Sequence, residues 1–385
     1  MIATALIPAG ERELAEQVAQ AAAGGGRLCI AGGGSKADVG TPVQAGRLEA
    51  AALTGIVDYD PPELVLTVRP GTPLAEVEAL VAGEEQMLAF EPFDHGPLFG
   101  REAGAATIGG VVAAGVAGSR RVSAGGARDH LLGLRAISGR GELFVGGAKV
   151  VKNVTGYDLP KLAAGSWGRL FAMTEITLKV LPRPRTSATC ALFGLDPAAA
   201  VRAMAAAMGS TAEVAAAAHL PGDHDERATT LFRIEGFGPS VQARCAALAT
   251  LLASFGPIDI LDEASAAPMW TALRTLAPLV GDRPLWRVNV APSRSPVVID
   301  ALAPHGADWL LDWAGGLVWI ACESAPSIVR TAAAAAGGHA TLVRAPQTMR
   351  AQVPALHPPA AGVAALEERV RRAFDPAGVF ETGRF

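Results

Sequence analysis

Ala31-Gly32-Gly33-Gly34-Ser35-Lys36 follows a short apolar run, Arg27 to Ala31, and its reading decides the fold of this 385-residue chain. Three readings compete. A Walker A loop needs Gly-Lys followed by Ser or Thr, and here Ser35 precedes Lys36. A Rossmann fingerprint fits locally, with Gly32, Gly34 and Ala37 as G-x-G-x-x-A and Glu49 in the acidic region further on. That reading also needs a helix opening at the loop, and Asp38-Val39-Gly40-Thr41-Pro42 interrupts such a helix within one turn. The third is a nest of backbone N–H groups that cradles a diphosphate without a long helix. Glycines allow its positive φ angles and a close phosphate approach, Ser35 adds a hydroxyl donor, and Lys36 offsets charge. A mobile surface turn is the plain alternative for three glycines; the strand before them and the loops that follow argue against it.

Lys149-Val150-Val151-Lys152-Asn153-Val154-Thr155-Gly156-Tyr157-Asp158 concentrates hydrogen-bonding groups in a chain that is only 18% charged. Filling a core needs no such density; holding a large, polar, negatively charged ligand does. Ala106 to Arg120 is so rich in small residues that side chains cannot build a core there. It reads as a helix packed on another backbone, or as main chain brought to contact distance of a flat cofactor, with Thr107, Ser119 and Arg120 as donors. Gly125-Gly126-Ala127-Arg128-Asp129 adds a turn with a charged pair. Read with the 32–36 loop, these segments point to a flavin dinucleotide rather than a simple nucleotide.

The surrounding pattern is α+β. Glu11 to Ala23 reads as a helix stopped by Gly24-Gly25-Gly26. Strands are predicted at 56–59 and 64–68, a helix from Pro73 to Ala82, a hairpin from 132 to 145, and a long strand from Leu170 to Leu181. Pro182-Arg183-Pro184-Arg185 breaks every regular pattern and marks a boundary. Beyond it strands alternate with single helices, which suggests one antiparallel sheet with helices on one face. Thr341 to His357 reads as irregular, and a last helix runs from Gly362 to Phe374.

At this length two or three lobes are expected. The net charge of −4 provides no basic field for nucleic acid or anionic lipid. Cys29, Cys190, Cys245 and Cys322 lie far apart, so neither a metal site nor an iron–sulfur cluster bound by this chain is expected. The N-terminus lacks a signal-peptide pattern and no apolar run reaches about 18 residues. The expected location is cytoplasmic, peripheral to the inner membrane where a complex docks there.

In order, the 32–36 loop, Thr107-Ile108-Gly109-Gly110, Gly125 to Asp129 and Glu175-Ile176-Thr177-Leu178-Lys179-Val180 resemble the FAD-binding domain of the vanillyl-alcohol oxidase/p-cresol methylhydroxylase (PCMH) flavoprotein superfamily. Lys152 to Asp158 narrows the likeness to the smaller flavin subunits of bacterial glycolate oxidases. The likeness is strong over residues 1–185 and returns at Phe374-Asp375-Pro376-Ala377-Gly378-Val379-Phe380. It implies a PCMH-type FAD-binding domain of two α+β subdomains over 1–184, an α+β cap over 185–345, and a C-terminal segment, 346–385, returning to the first. The diphosphate would lie on Gly32, Gly33, Gly34, Ser35 and Lys36. Thr107, Gly109, Gly110, Gly115, Ser119 and Arg120 would approach the flavin and ribityl. Gly125, Arg128, Asp129, Lys152, Asn153, Gly156, Tyr157 and Asp158 would lie along the dinucleotide, with the Ile176 backbone near adenine. Covalent flavin attachment in this superfamily uses a nearby His or Cys, absent from 31–38 and 106–129, so the FAD is expected to be non-covalent. Two departures stand out: Arg169 and Phe171 replace the usual Thr and Gly, and Phe380-Glu381-Thr382-Gly383-Arg384 lacks the usual Asn-Pro.

The resemblance implies oxidation of a small 2-hydroxy acid beside a larger FAD-binding subunit and an iron–sulfur subunit. Such chemistry needs a cation for the carboxylate, a base for the hydroxyl proton and an acceptor for the hydride. Arg287, beside Trp286 in a cap strand, suits the first role, with a structural salt bridge as its alternative. No two of the seven histidines are one residue apart, so no base is assigned. His219 and His224 read as a solvated loop and His95 as a turn residue. The alternatives to a glycolate-oxidising subunit are a non-catalytic FAD-binding relay or assembly subunit, and an independent FAD-linked alcohol oxidoreductase.

Overall fold

A computed structural model of the chain describes residues 5–148, 157–222 and 227–385. Helix Glu11–Ala23 buries Leu14 and Val18 and ends at Gly24, as its glycine run predicts. Strands Leu28–Ala31 and Gly46–Glu49 pair in parallel, and bridges from Leu6 and Phe380 extend them on either side. The chain's end is therefore part of its first sheet: Leu28 donates to the Val379 carbonyl and Glu381 to the Leu28 carbonyl. Asp375 makes that return possible, because its carboxylate accepts from the Val379 and Phe380 amides.

A second, five-stranded antiparallel sheet runs in the order Ile56–Asp60, Val65–Val68, Phe171–Lys179, Leu131–Ser138, Leu143–Gly147. Phe171 meets Phe144 and Phe374 edge-on, at centroid distances of 5.1 and 5.2 Å. An aromatic residue at the usual glycine position thus anchors the C-terminal helix Ala361–Phe374. Arg169, the other departure, places its guanidinium over the Phe385 ring.

From Thr186 onward the chain forms one eight-stranded sheet. Its order is Asp259–Asp262, Thr186–Phe193, Thr229–Gly236, Ala216–Leu220, Asp308–Asp312, Leu317–Ala321, Leu285–Asn289, His339–Arg344, and every pairing is antiparallel. In chain order the first four strands lie 4-1-3-2 and the last four 2-3-1-4. The sheet is therefore two βαββαβ units joined through their second strands, where His219 meets Leu311. Alternation divides its faces. Cys190, Phe232, Trp286 and Val318 turn to helices Pro197–Met208, Gly238–Leu251, Ser295–Leu302 and Pro326–Ala335. Ala191, Leu231, Leu310 and Trp319 turn to the first domain and share its core with Val112 and Leu134.

Two expectations are corrected here. Residues 339–344 form an edge strand, not irregular chain, and Leu342 donates to the Ala355 carbonyl. His219 is not in a solvated loop: it is fully buried at the joint of the two units, with Nδ1 2.9 Å from Thr230 Oγ1. His224, with Asp223 and Asp225, lies outside the described residues, as does 149–156 with Lys152, Asn153 and Gly156.

Candidate functional site

Asp94 organises the base of the glycine loop. One of its carboxylate oxygens accepts from the Gly104 and Ala106 amides, fixing Ala105 between them. Gly33 sits so close that a Cβ would lie 1.7 Å from the Ala105 carbonyl oxygen, and one on Gly32 would lie 2.5 Å from Thr107 Oγ1. Gly34 takes φ +81°, which favours glycine. Successive turns follow instead of a helix, with Ala37 donating to Gly34 and Val39 to Lys36. Glu49 is paired with Arg47 at 2.5 Å. The Rossmann reading fails for want of its helix.

The loop lines a cavity of about 490 Å³ with Thr107, Gly110, Trp167, Arg350 and Arg384. Ser35 and Lys36 are buried. Lys36 Nζ lies 3.2 Å from Ser35 Oγ, and no carboxylate pairs with it among the described residues. Burial depresses its pKa to about 8, against the partial support of Asp94. Arg384 crosses the cavity, donating to the Lys36 carbonyl at 3.2 Å, with its guanidinium 4.9 Å from the Trp167 ring centroid. Asp38 is held by both Arg101 and Arg350. A buried cation with no ion-pair carboxylate, set in a glycine cradle, suits an anion.

Trp167 also lines a larger cavity, about 1040 Å³, between the first domain and the inner face of the eight-stranded sheet. Its φ is +55°, and Gly165 and Gly168 on either side are also left-handed. The turn is tied to helix Ile108–Ala114 by Gly165 and Trp167 amides donating to Val112 and Ala113. Gly115, Arg121, Arg128 and Asp129 form one wall, and Arg287, His339, Thr341 and His357 the other. Arg287 pairs in register with Thr341, and Asn289 with His339, so Arg287 and His339 are diagonal neighbours on one face. Burial and the Arg121 charge lower Arg287 to about 10, still cationic at neutral pH. His339 is exposed on its edge strand; partial desolvation, with Arg287 and His357 nearby, lowers its pKa and favours the neutral form at pH 7.

Several expected contacts lie elsewhere. Gly109 is packed on Pro70, where a Cβ would be 2.6 Å from the proline ring; its role is helix packing. Gly125 makes room for Asp129, whose carboxylate accepts from Gly126. Tyr157 is exposed, and Asp158 caps helix Leu159–Ala163 and pairs with Lys161 at 3.0 Å; neither lines either of these two cavities. Ile176 is fully buried in the central strand, flanked in register by Val68 and Leu134, so it lines neither cavity. His95 stacks on Phe93 at 4.3 Å and also lines neither.

Ser119 and Arg120 are committed to a buried ionic cluster between the domains. Arg120 reaches Glu235 at 2.5 Å and Glu91 at 3.5 Å, and Arg233 reaches Glu91 at 2.7 Å and Glu235 at 3.4 Å. Ser119 donates to Asp312, whose carboxyl is raised to about 6 by burial. Removing one member strands opposite charge out of water. Glu235→Gln is expected to destabilise the chain by about 3 kcal/mol, read as a lower denaturant midpoint; a loss below about 1 kcal/mol would place the cluster effectively in water.

Comparison with known proteins follows the same outline. Residues 2–147 match the family model for an FAD binding domain. The chain is 35% identical over 378 residues to glycolate oxidase subunit GlcE of Escherichia coli (strain K12), covering 96% of each. The chain belongs to the GlcE family. It is an FAD-dependent oxidoreductase: similarity extends to glycolate oxidase subunit GlcD of Bacillus subtilis (strain 168), at 32% over 35% of this chain and 27% of that one. D-lactate dehydrogenase of Anaerostipes hadrus is 36% identical over 34% of the chain and 26% of its own length. The fold is that of p-cresol methylhydroxylase, which superposes with a TM-score of 0.72 at 14% identity over 98% of this chain and 87% of the other. No helix among the described residues is long and apolar enough to cross a membrane.

The sequence reading did not place Trp167, Arg350, Arg121, His339 or His357 in the site. Trp167 carried a signal, an aromatic between two glycines; the histidines carried none, since 18 positions and an intervening helix separate them.

Proposed function

We propose that this chain is the smaller FAD-binding subunit of an enzyme that oxidises glycolate or a related 2-hydroxy acid to the 2-oxo acid and passes electrons to an iron–sulfur partner. One observation carries the reading. A glycine cradle holding buried Lys36, which has no ion-pair carboxylate, shares Trp167 with a second cavity where Arg287 and Arg121 have none either among the described residues. The first suits a diphosphate and the second a carboxylate. Residues 1–184 and 346–385 would hold the dinucleotide, and 185–345 would cover its ring as a cap. Non-covalent FAD is part of this reading: among the described residues, the stretches 114–129 and 164–167 that line the larger cavity contain no His or Cys.

When bound, FAD supplies the two-electron acceptor for the hydride lost from the substrate's C2. Arg287 forks the substrate carboxylate, which orients the C2 hydroxyl toward His339. His339, neutral and beside a guanidinium, takes the hydroxyl proton. Its lowered pKa sets the sign of the pH dependence: protonation below pH 6.5 removes the base, so kcat/KM falls only on that acidic side. An acidic limb centred at pH 7 or above would exclude His339.

Onward transfer is proposed to cross an interface to the larger flavin subunit and the iron–sulfur subunit. The described residues contain no His/Cys/Asp/Glu group able to hold a metal, and FAD, when bound, needs an acceptor for its electrons. Dye-linked glycolate oxidation is expected on co-expression with both partners and not from the purified chain alone. Steady turnover by the chain alone would favour an independent oxidoreductase.

A further inference from the structure

The hairpin between strands Asp308–Asp312 and Leu317–Ala321 turns through three successive left-handed residues, Trp313 at φ +53°, Ala314 at +55° and Gly315 at +95°. Only Gly315 adopts this region freely, so the other two are strained unless the surroundings hold them. They are held. Asp312 accepts from the Trp313 amide at 2.7 Å and from Ser119 Oγ at 2.9 Å, and Trp313 Nε1 donates to the Gly118 carbonyl at 2.9 Å. The result is a buried indole under the cap, with the Arg121 guanidinium 4.3 Å and that of Arg287 5.0 Å from its ring centroid. One arginine comes from the first domain and the other from the cap. Neither has a carboxylate ion-pair partner among the described residues, and the Arg121 charge acts against that of Arg287. The indole offsets that repulsion by cation–π attraction to both guanidinium groups.

We propose that Trp313 is a positioning residue that assembles Arg121 and Arg287 into one two-guanidinium receptor for the substrate carboxylate. The inference rests on the 2-hydroxy acid reading and extends it: the receptor exists only with the cap seated, and it selects carboxylates over neutral alcohols. Trp313 does not touch the reacting atoms; it acts through the arginines. The strained turn is the means, because a relaxed turn would not aim the indole between the domains.

The test is oxalate binding to the FAD-loaded full chain, followed by flavin absorbance and by the oxalate-induced shift in melting temperature. Trp313→Leu is expected to raise the oxalate Kd about tenfold or more. Trp313→Phe, which keeps a ring and loses only the Gly118 hydrogen bond, is expected to stay within about threefold. FAD content should be unchanged in both. Arg121→Leu, a change at an exposed cavity wall, is expected to match Trp313→Leu, and the double variant to be little weaker than either single one. Equal weakening by Phe and Leu, or unchanged oxalate binding in Arg121→Leu, would overturn the inference while leaving the substrate reading intact. A wild-type chain that binds neither oxalate nor glycolate would overturn the substrate reading, and the receptor with it.

Discussion

Gly33→Ala is expected to reduce the FAD content of the purified chain to below about a tenth of wild type. The added methyl would sit 1.7 Å from the Ala105 carbonyl oxygen, and neither side can yield cheaply. Ala105 is clamped by the bonds from Asp94 to Gly104 and Ala106. The loop must then lift by more than 1 Å, which removes backbone N–H groups from a diphosphate whose binding depends on their convergence. Gly34→Ala is the graded comparison. Nothing lies within 4 Å of its Cβ, so its cost is the φ of +81° alone, about 1 kcal/mol. Glu49→Ala is expected to keep FAD, since Glu49 is paired with Arg47. Loss of FAD in Glu49→Ala with retention in Gly33→Ala would restore the Rossmann reading.

The clash at Gly33 shows what a sequence can and cannot convey. Three glycines after a strand announce close approach, and the absence of a following helix was legible from Gly40 and Pro42. What the second glycine approaches was not, because Ala105 lies about seventy positions away and is placed by Asp94. The same limit separates the strands. Leu317–Ala321 and Glu11–Ala23 were readable from local pattern. Strands Ala216–Leu220, Asp259–Asp262 and Asp308–Asp312 were not: the first is a run of alanines and the others are short and acid-flanked, stabilised by neighbours on the sheet rather than by propensity. With those strands unseen, the tandem βαββαβ architecture was invisible too. Arg120 illustrates the opposite error. A basic residue in a glycine-rich, cofactor-like segment reads as a ligand donor, yet Glu91 and Glu235, far off in sequence, take its charge.

Arg287→Met is expected to lower kcat/KM for glycolate by about a hundredfold to a thousandfold in the co-expressed complex, with FAD content unchanged. The size follows from removing one partner of a desolvated, charge-assisted pair, which costs about 2–5 kcal/mol. Because the carboxylate contact also orients the C2 hydroxyl, kcat should fall along with the rise in KM. Arg287→Lys should recover only part of the loss: an ammonium restores charge but not the planar fork, and it stacks less well on Trp313. The structural-salt-bridge alternative makes the reverse forecast. If Arg287 were there to hold the cap, Met would lower the melting temperature and the FAD content while the remaining flavin-loaded enzyme kept its KM. The ion pairs of the described residues argue against that, since the carboxylates joining the domains, Glu91 and Glu235, are taken by Arg120 and Arg233. Arg287 is left facing a cavity with its charge intact, and a carboxylate from outside the chain is what would complete it.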